Sequence, residues 1–255
     1  MRAGFLVVLV VLFQWFVARA PNTPKETKRR FQHALTGHAL VQISYVLPKS
    51  LSLALLLIAS LGMYLAKTFF FEKFLEAFGG LLRPSESSGE VLPGAFYFLV
   101  GTAITVSGLV TDDLRIARYS VECLALADPM ASWVGSSVSS PRFTVTRNKN
   151  NGTTNTGGGG GVRTSSLAGC LACFGTALLV GWWMLVASVE HSNENDERNT
   201  TGDSGSSRFT TATLVAGAIA CTIAEGLPFG NDNLNIPVIT AFVVDRFAAA
   251  SSTVR

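Results

Sequence analysis

The sequence predicts an all-α fold, a polytopic integral membrane bundle of about seven to eight transmembrane helices. Four observations predict it. Hydrophobic residues make up 48% of the 255 residues and charged residues only 15%, whereas soluble domains carry about 25% charge. Mean hydropathy is +0.37. Apolar stretches approaching the roughly 20 residues that cross a bilayer recur along the whole chain. The polar segments between them alternate in a way that fits two membrane faces. The formal net charge of +3 is too small to argue for a nucleic-acid partner.

The apolar stretches are residues 4–17, 35–47, 51–71, 92–110, 116–134, 167–189, 211–223 and 236–249. Within residues 1–20, Arg2, a short apolar run and then Ala18-Arg19-Ala20 fit either a first span or a cleaved signal peptide. Residues 21–250 form one membrane domain. The segment 19–33 holds Arg19, Lys25, Lys28, Arg29 and Arg30 against the single acid Glu26. The segment 136–165 holds Arg142, Arg147, Lys149 and Arg163 and no acid. The positive-inside rule puts both on the cytosolic face, or the stromal face in a plastid, and the crossings between them agree. The acidic segment 190–208 then falls on the other side. Residues 150–161 are a Gly/Asn/Thr-rich insert of linker composition. Of the two glycosylation sequons, this orientation exposes Asn199 and shields Asn151. Cys170 and Cys173 lack the second ligand pair of a zinc site and read as small residues packing between helices.

Three polar groups fall on the basic face. Asp128 stands in an apolar run and is followed by Pro129, which frees backbone carbonyls. An ionisable residue at membrane depth is costly and marks function by default. The plainer alternative is an Asp that caps a helix beginning at Pro129. Residues 225–237 combine Glu225, Asp232 and several amides; Asp232 or Asn233 could simply cap the last helix. Residues 28–33, Lys28-Arg29-Arg30-Phe31-Gln32-His33, fit a membrane-flanking anchor or a phosphate site equally well. Cations for a polyphosphate and carboxylates for a divalent metal on one face are the parts of a phosphoryl-transfer site.

Ordered motifs from Arg29 to about Ala249 resemble the CTP-dependent lipid kinases, which are related to the phosphatidate cytidylyltransferases. The family's Arg-Lys-x-x-His-x-x-x-Gly resembles Arg29-Arg30-Phe31-Gln32-His33-Ala34-Leu35-Thr36-Gly37. An Arg and a Glu ahead of a Gly-x-x-Tyr-Phe-Leu-x-Gly helix resemble Arg83, Glu86 and the run from Gly94 to Gly101. Asp-x-x-Ala-x-x-x-Gly resembles the run from Asp128 to Gly135. Lys-Ser-Leu-(Ala/Glu)-Gly-Ser resembles Ser165-Ser166-Leu167-Ala168-Gly169-Cys170, and the closing Glu and Asp-Asn-x-x-(Ile/Val)-Pro resemble Glu225 and Asp232 to Pro237. The chain departs from the pattern at Arg30, Ser165, Cys170 and the serine-rich stretch 136–140.

The resemblance implies transfer of the CTP γ-phosphate to a lipid hydroxyl, with diacylglycerol favoured as acceptor over phytol or a polyprenol. It implies Asp128, Glu225 and Asp232 as catalytic residues, with Asp128 and Asp232 holding Mg2+. It implies nucleotide contacts from Arg29, Arg30, His33, Arg83, Gly135, Ser166, Gly169 and Asn233. The setting it implies is the endoplasmic reticulum membrane, or a plastid membrane for a phytol kinase. Cytidylyl transfer to phosphatidate, a transporter and an inactive paralogue are the other classes that this residue set accommodates.

Overall fold

Pro24, Pro48 and Pro93 each stand immediately before a helix, with φ between −55° and −59°. A proline there costs no hydrogen bond, because the N–H it lacks has no partner inside the helix. In the computed structural model, the described residues are 12, 16–17, 23–79, 81–87, 91–145, 163–195, 210–227 and 231–253. In chain order they form α1 (Lys25–Val46), α2 (Lys49–Phe69), α3 (Phe71–Phe78), α4 (Pro84–Ser87), α5 (Gly94–Ser107), α6 (Leu114–Glu122) and α7 (Asp128–Ser137). A hairpin of β1 (Arg142–Val145) and β2 (Arg163–Ser166) follows, then α8 (Leu167–Asn195), α9 (Thr211–Gly226) and α10 (Asp232–Thr253). The fold is all-α apart from the hairpin.

The helix made of α6 and α7 runs through the centre. Its Ile116, Tyr119, Cys123, Leu124, Ala127 and Ala131 are buried against Cys173 and Ala177 of α8, Leu214, Ala218 and Cys221 of α9, and Ile236 and Val244 of α10. Small residues let these backbones approach closely, as in membrane bundles. Gly181 and Gly217 flank the Tyr119 ring, where an added Cβ would lie 3.0 and 2.6 Å from it. Cys173 and Cys221 are free thiols packed at 3.7 Å, in keeping with a packing role.

The outer surface is apolar where the core is small-residued. Leu51, Leu55, Ile58, Leu61 and Leu65 of α2 and Leu171, Leu179, Trp182 and Trp183 of α8 are exposed. An exposed apolar surface of this extent marks contact with lipid or protein. Three helices, α2, residues 167–186 of α8 and residues 232–251 of α10, are long and apolar enough to cross a membrane; α5 and α9 are shorter apolar helices.

Several boundaries differ from the sequence reading. Residues 25–33, assigned to a polar segment, form the first turns of α1. Charge marks where a helix leaves an apolar environment, not where its hydrogen bonding ends. Residues 71–93, also taken as a connection, contain α3 and α4. The segment 136–165 contains the two paired strands, with Arg142 opposite Ser166 and Val145 opposite Arg163. Phe143, Thr144 and Val145 have the branched and aromatic character that pleated backbone favours. α8 continues to Asn195, into the acidic segment. Most of the first apolar stretch, the insert 150–161 and both sequons lie outside the described residues.

Between α6 and α7, residues Cys123–Ala127 form a π-helical turn. The helix does not begin at Pro129, so Asp128 is not an N-cap; Ala127 before it and Asp128 itself are already helical. In the wider turn, the N–H of residue 129 would reach back five positions, to Leu124. Pro129 has no N–H, so the Leu124 carbonyl needs another donor.

Candidate active site

A cavity of about 890 Å³ opens between α1, α4, α5, α7, the start of α8 and the α9–α10 junction. Arg29, Arg30, His33, Arg83, Asp128, Gly135, Ser166, Gly169, Glu225, Asp232 and Asn233 all line it. They come from positions scattered along most of the chain.

On α1, one turn of helix stacks Arg29 against His33, and Glu26 precedes both arginines at i,i+3 and i,i+4 spacing. Glu26 accepts from Arg29 Nη2 at 2.7 Å and from Arg30 Nε at 3.1 Å. The hydrogen bond from Arg29 holds the Glu26 carboxyl below its usual range, against the opposing effect of burial. Burial also works against the Arg29 charge, but Glu26, Asp128 and Glu86 together raise its pKa. Arg30 also reaches Ser136 Oγ at 3.4 Å. The two arginines expected to grip phosphate thus share one internal carboxylate, Glu26.

His33 supplies the donor that Leu124 needs. Its Nε2 lies 3.1 Å from Leu124 O and 3.9 Å from Asp128 Oδ2. A carbonyl only accepts, so Nε2 carries the proton. The edge of the His33 ring packs on Phe98 at 4.9 Å. One histidine ties α1 to the π turn directly before Asp128.

Glu86 is almost wholly buried. Its two carboxylate oxygens accept from the backbone N–H of Arg83 and of Gly94, each at 2.8 Å. It closes the loop 83–94 on itself and fixes the backbone that carries Arg83. The Lys67 ammonium donates to the Val91 carbonyl inside the same loop. Asn233 Nδ2 donates to Gly94 O at 2.8 Å. The Asn233 side chain, expected to contact nucleotide, lines the cavity and also ties the start of α10 to the start of α5. Asn231 Oδ1 accepts from the Asn233 backbone N–H at 3.1 Å. The cap of α10 is therefore Asn231, one residue before the Asp232 and Asn233 alternatives read from sequence.

Ser166 and both glycines line the cavity and also solve packing problems. Ser166 Oγ accepts from Gly169 N at 3.1 Å, so it caps the first turn of α8. A Cβ on Gly135 would sit 2.7 Å from that hydroxyl, and one on Gly169 would sit 2.9 Å from the Ala131 carbonyl. Close approach of α7 and α8 already requires the two glycines.

Asp128, Glu225 and Asp232 enter the cavity from three different helices. Among the described residues, no three His, Cys, Asp or Glu side chains stand close enough to hold a metal ion by themselves. Mg2+ does not need such a cage: it keeps several waters and takes one or two carboxylates plus substrate phosphates. Asp128 and Asp232 supply two carboxylates to the cavity lining. Sequence reasoning missed Arg142, which lines the cavity from β1 beside Ser166, and an apolar wall on the side of α3. Only the strand pairing could have located Arg142. Glu86, to which the resemblance attaches no role, closes the loop that carries Arg83.

Comparison with models of known protein families, with curated proteins and with solved structures gives no match.

Proposed function

We propose that the chain is a CTP-dependent lipid kinase, transferring the γ-phosphate of CTP to a membrane lipid hydroxyl, with diacylglycerol as the favoured acceptor. The reading is supported chiefly by one observation: the residues that the motifs singled out, cations and carboxylates alike, line a single cavity. In this reading Arg29, Arg30, Arg83 and Arg142 neutralise the triphosphate, and Arg29 and Arg30 exchange Glu26 for phosphate oxygens. Asp128 accepts the proton of the lipid hydroxyl as its oxygen bonds to the γ-phosphorus and the bond to the β-phosphate oxygen breaks, releasing CDP. Bound Mg2+ would supply charge neutralisation of the phosphates, with Asp128 and Asp232 as its protein ligands. His33 holds the Asp128 turn in place through Leu124.

The proposal includes the larger bundle. α1, α2, α5, the joined α6–α7 helix, α8, α9 and α10 make seven spans, and residues 4–17 an eighth. The site then faces the cytosol at the endoplasmic reticulum, or the stroma in a plastid.

The test uses purified protein in mixed micelles with Mg2+ and CTP labelled at the γ-phosphate or in the cytosine. Diacylglycerol, phytol, a polyprenol and phosphatidate are offered separately. Label from the γ-phosphate alone is expected in a lipid, and Asp128→Asn is expected to lose about 10²–10⁴-fold in rate while remaining folded. Cytosine label in phosphatidate would move the assignment to cytidylyl transfer. No transfer from folded protein would favour a transporter or an inactive paralogue.

A further inference from the structure

The cavity has a second wall that phosphate chemistry does not use. Met63 near the end of α2, Phe74 and Phe78 of α3, and Leu81 and Leu82 beyond it all line the same space as the arginines and carboxylates. Phe74 and Phe78 stack one turn apart at 5.2 Å.

The wall is continuous with the outer apolar surface. Leu51, Leu55, Ile58, Leu61 and Leu65 are exposed along α2, and Phe69 and Phe70 are 70% and 61% exposed at the corner where the chain turns into α3. α3 then carries Glu72, Lys73 and Glu76 exposed on one side and buried Phe74 on the other. A short helix with a charged face and an aromatic face, placed directly after a span, has the character of one lying in the membrane interface. Apolar surface thus runs from the bilayer-facing side of α2, around the α2–α3 corner, to the polar end of the cavity. At about 890 Å³ the cavity is near the top of the range of ligand pockets.

We infer that the α2–α3 corner is the portal through which the hydrocarbon chain of the acceptor reaches the cavity, the chain lying along Met63, Phe74, Phe78, Leu81 and Leu82 with its hydroxyl toward Asp128. The inference rests on the lipid-kinase reading for the hydroxyl and on the apolar continuity for the chain. The ligand class is a long-chain lipid alcohol whose tail stays partly in the bilayer.

The experiment separates the two supports. The full-length protein in nanodiscs is irradiated with a diacylglycerol analogue bearing a diazirine on its acyl chain, without nucleotide, and labelled peptides are mapped by mass spectrometry. Labelling concentrated in residues 74–82 is expected. Labelling confined to the outward faces of α8 and α9 would overturn the portal. In parallel, Phe78→Ala with Leu82→Ala is expected to raise KM for diacylglycerol about tenfold and leave KM for CTP unchanged. A rise in KM for CTP with acceptor KM unchanged would make this wall a base-stacking surface and also overturn the portal. Labelling at 74–82 without phosphoryl transfer from CTP would retain the portal and remove the kinase reading.

Discussion

Glu86→Gln tests whether the buried carboxylate positions the site. The native carboxylate accepts two backbone N–H groups at 2.8 Å, one at each end of the loop that carries Arg83. A glutamine keeps one acceptor oxygen and turns an NH2 toward the other N–H. Each hydrogen bond to a charged group contributes roughly 1.5–3 kcal/mol, and a donor facing a donor adds to the loss. Since about 1.4 kcal/mol is a factor of ten, the loop should occupy its closed form about ten- to a hundredfold less relative to open forms. Two measurements read this. Hydrogen exchange at the Arg83 and Gly94 amides should speed up by about that factor. The kcat/KM for CTP should fall by a similar factor, while the far-UV signal and the α8–α10 core remain unchanged. Wild-type exchange at both amides together with wild-type kcat/KM would refute the reasoning.

Other consequences follow from the same geometry. Gly135→Ala forces a Cβ to within 2.7 Å of Ser166 Oγ; overpacking of this kind should destabilise the protein by about 1–3 kcal/mol, read as a lowered unfolding midpoint in detergent. Glu26→Gln removes the charge that competes for Arg29 and Arg30 and should lower the Kd for CTP several-fold by calorimetry; weaker binding would mean that Glu26 orients the arginines for the ligand instead.

The candidate site was legible because charge in an apolar sequence is expensive and therefore conspicuous. Asp128 and Glu225 stand out for that reason, and so do the arginines that flank the first turns of α1. Other parts left no local signal. Glu86 sits among Pro84, Ser85 and Ser87 and reads as surface, although it is buried and doubly bonded. Arg142 reaches the cavity only because β1 pairs with β2, across residues 146–162. The Asn233 hydrogen bond to Gly94 left no local signal because it joins distant segments. The apolar wall on α3 read as a connection because eight residues between a span and a glycine carry too few turns to establish a period.

The π turn at Cys123–Ala127 has a consequence for insertions and deletions. An ordinary α-helix advances about 100° per residue, so the same sequence wound regularly would carry Asp128 about 100° further around the axis and turn it away from the arginines. The wide turn absorbs one residue and acts as a vernier, letting Tyr119 and Glu122 face the bundle while Asp128 and Gly135 face the cavity. Removing one residue from this turn leaves the angular relation of α6 and α7 intact and regularises the ladder, whereas removing one from α6 itself would dephase everything after it. The centre of the bundle thus contains one place where chain length can change by a single residue without misaiming the carboxylate on which the proposed chemistry turns.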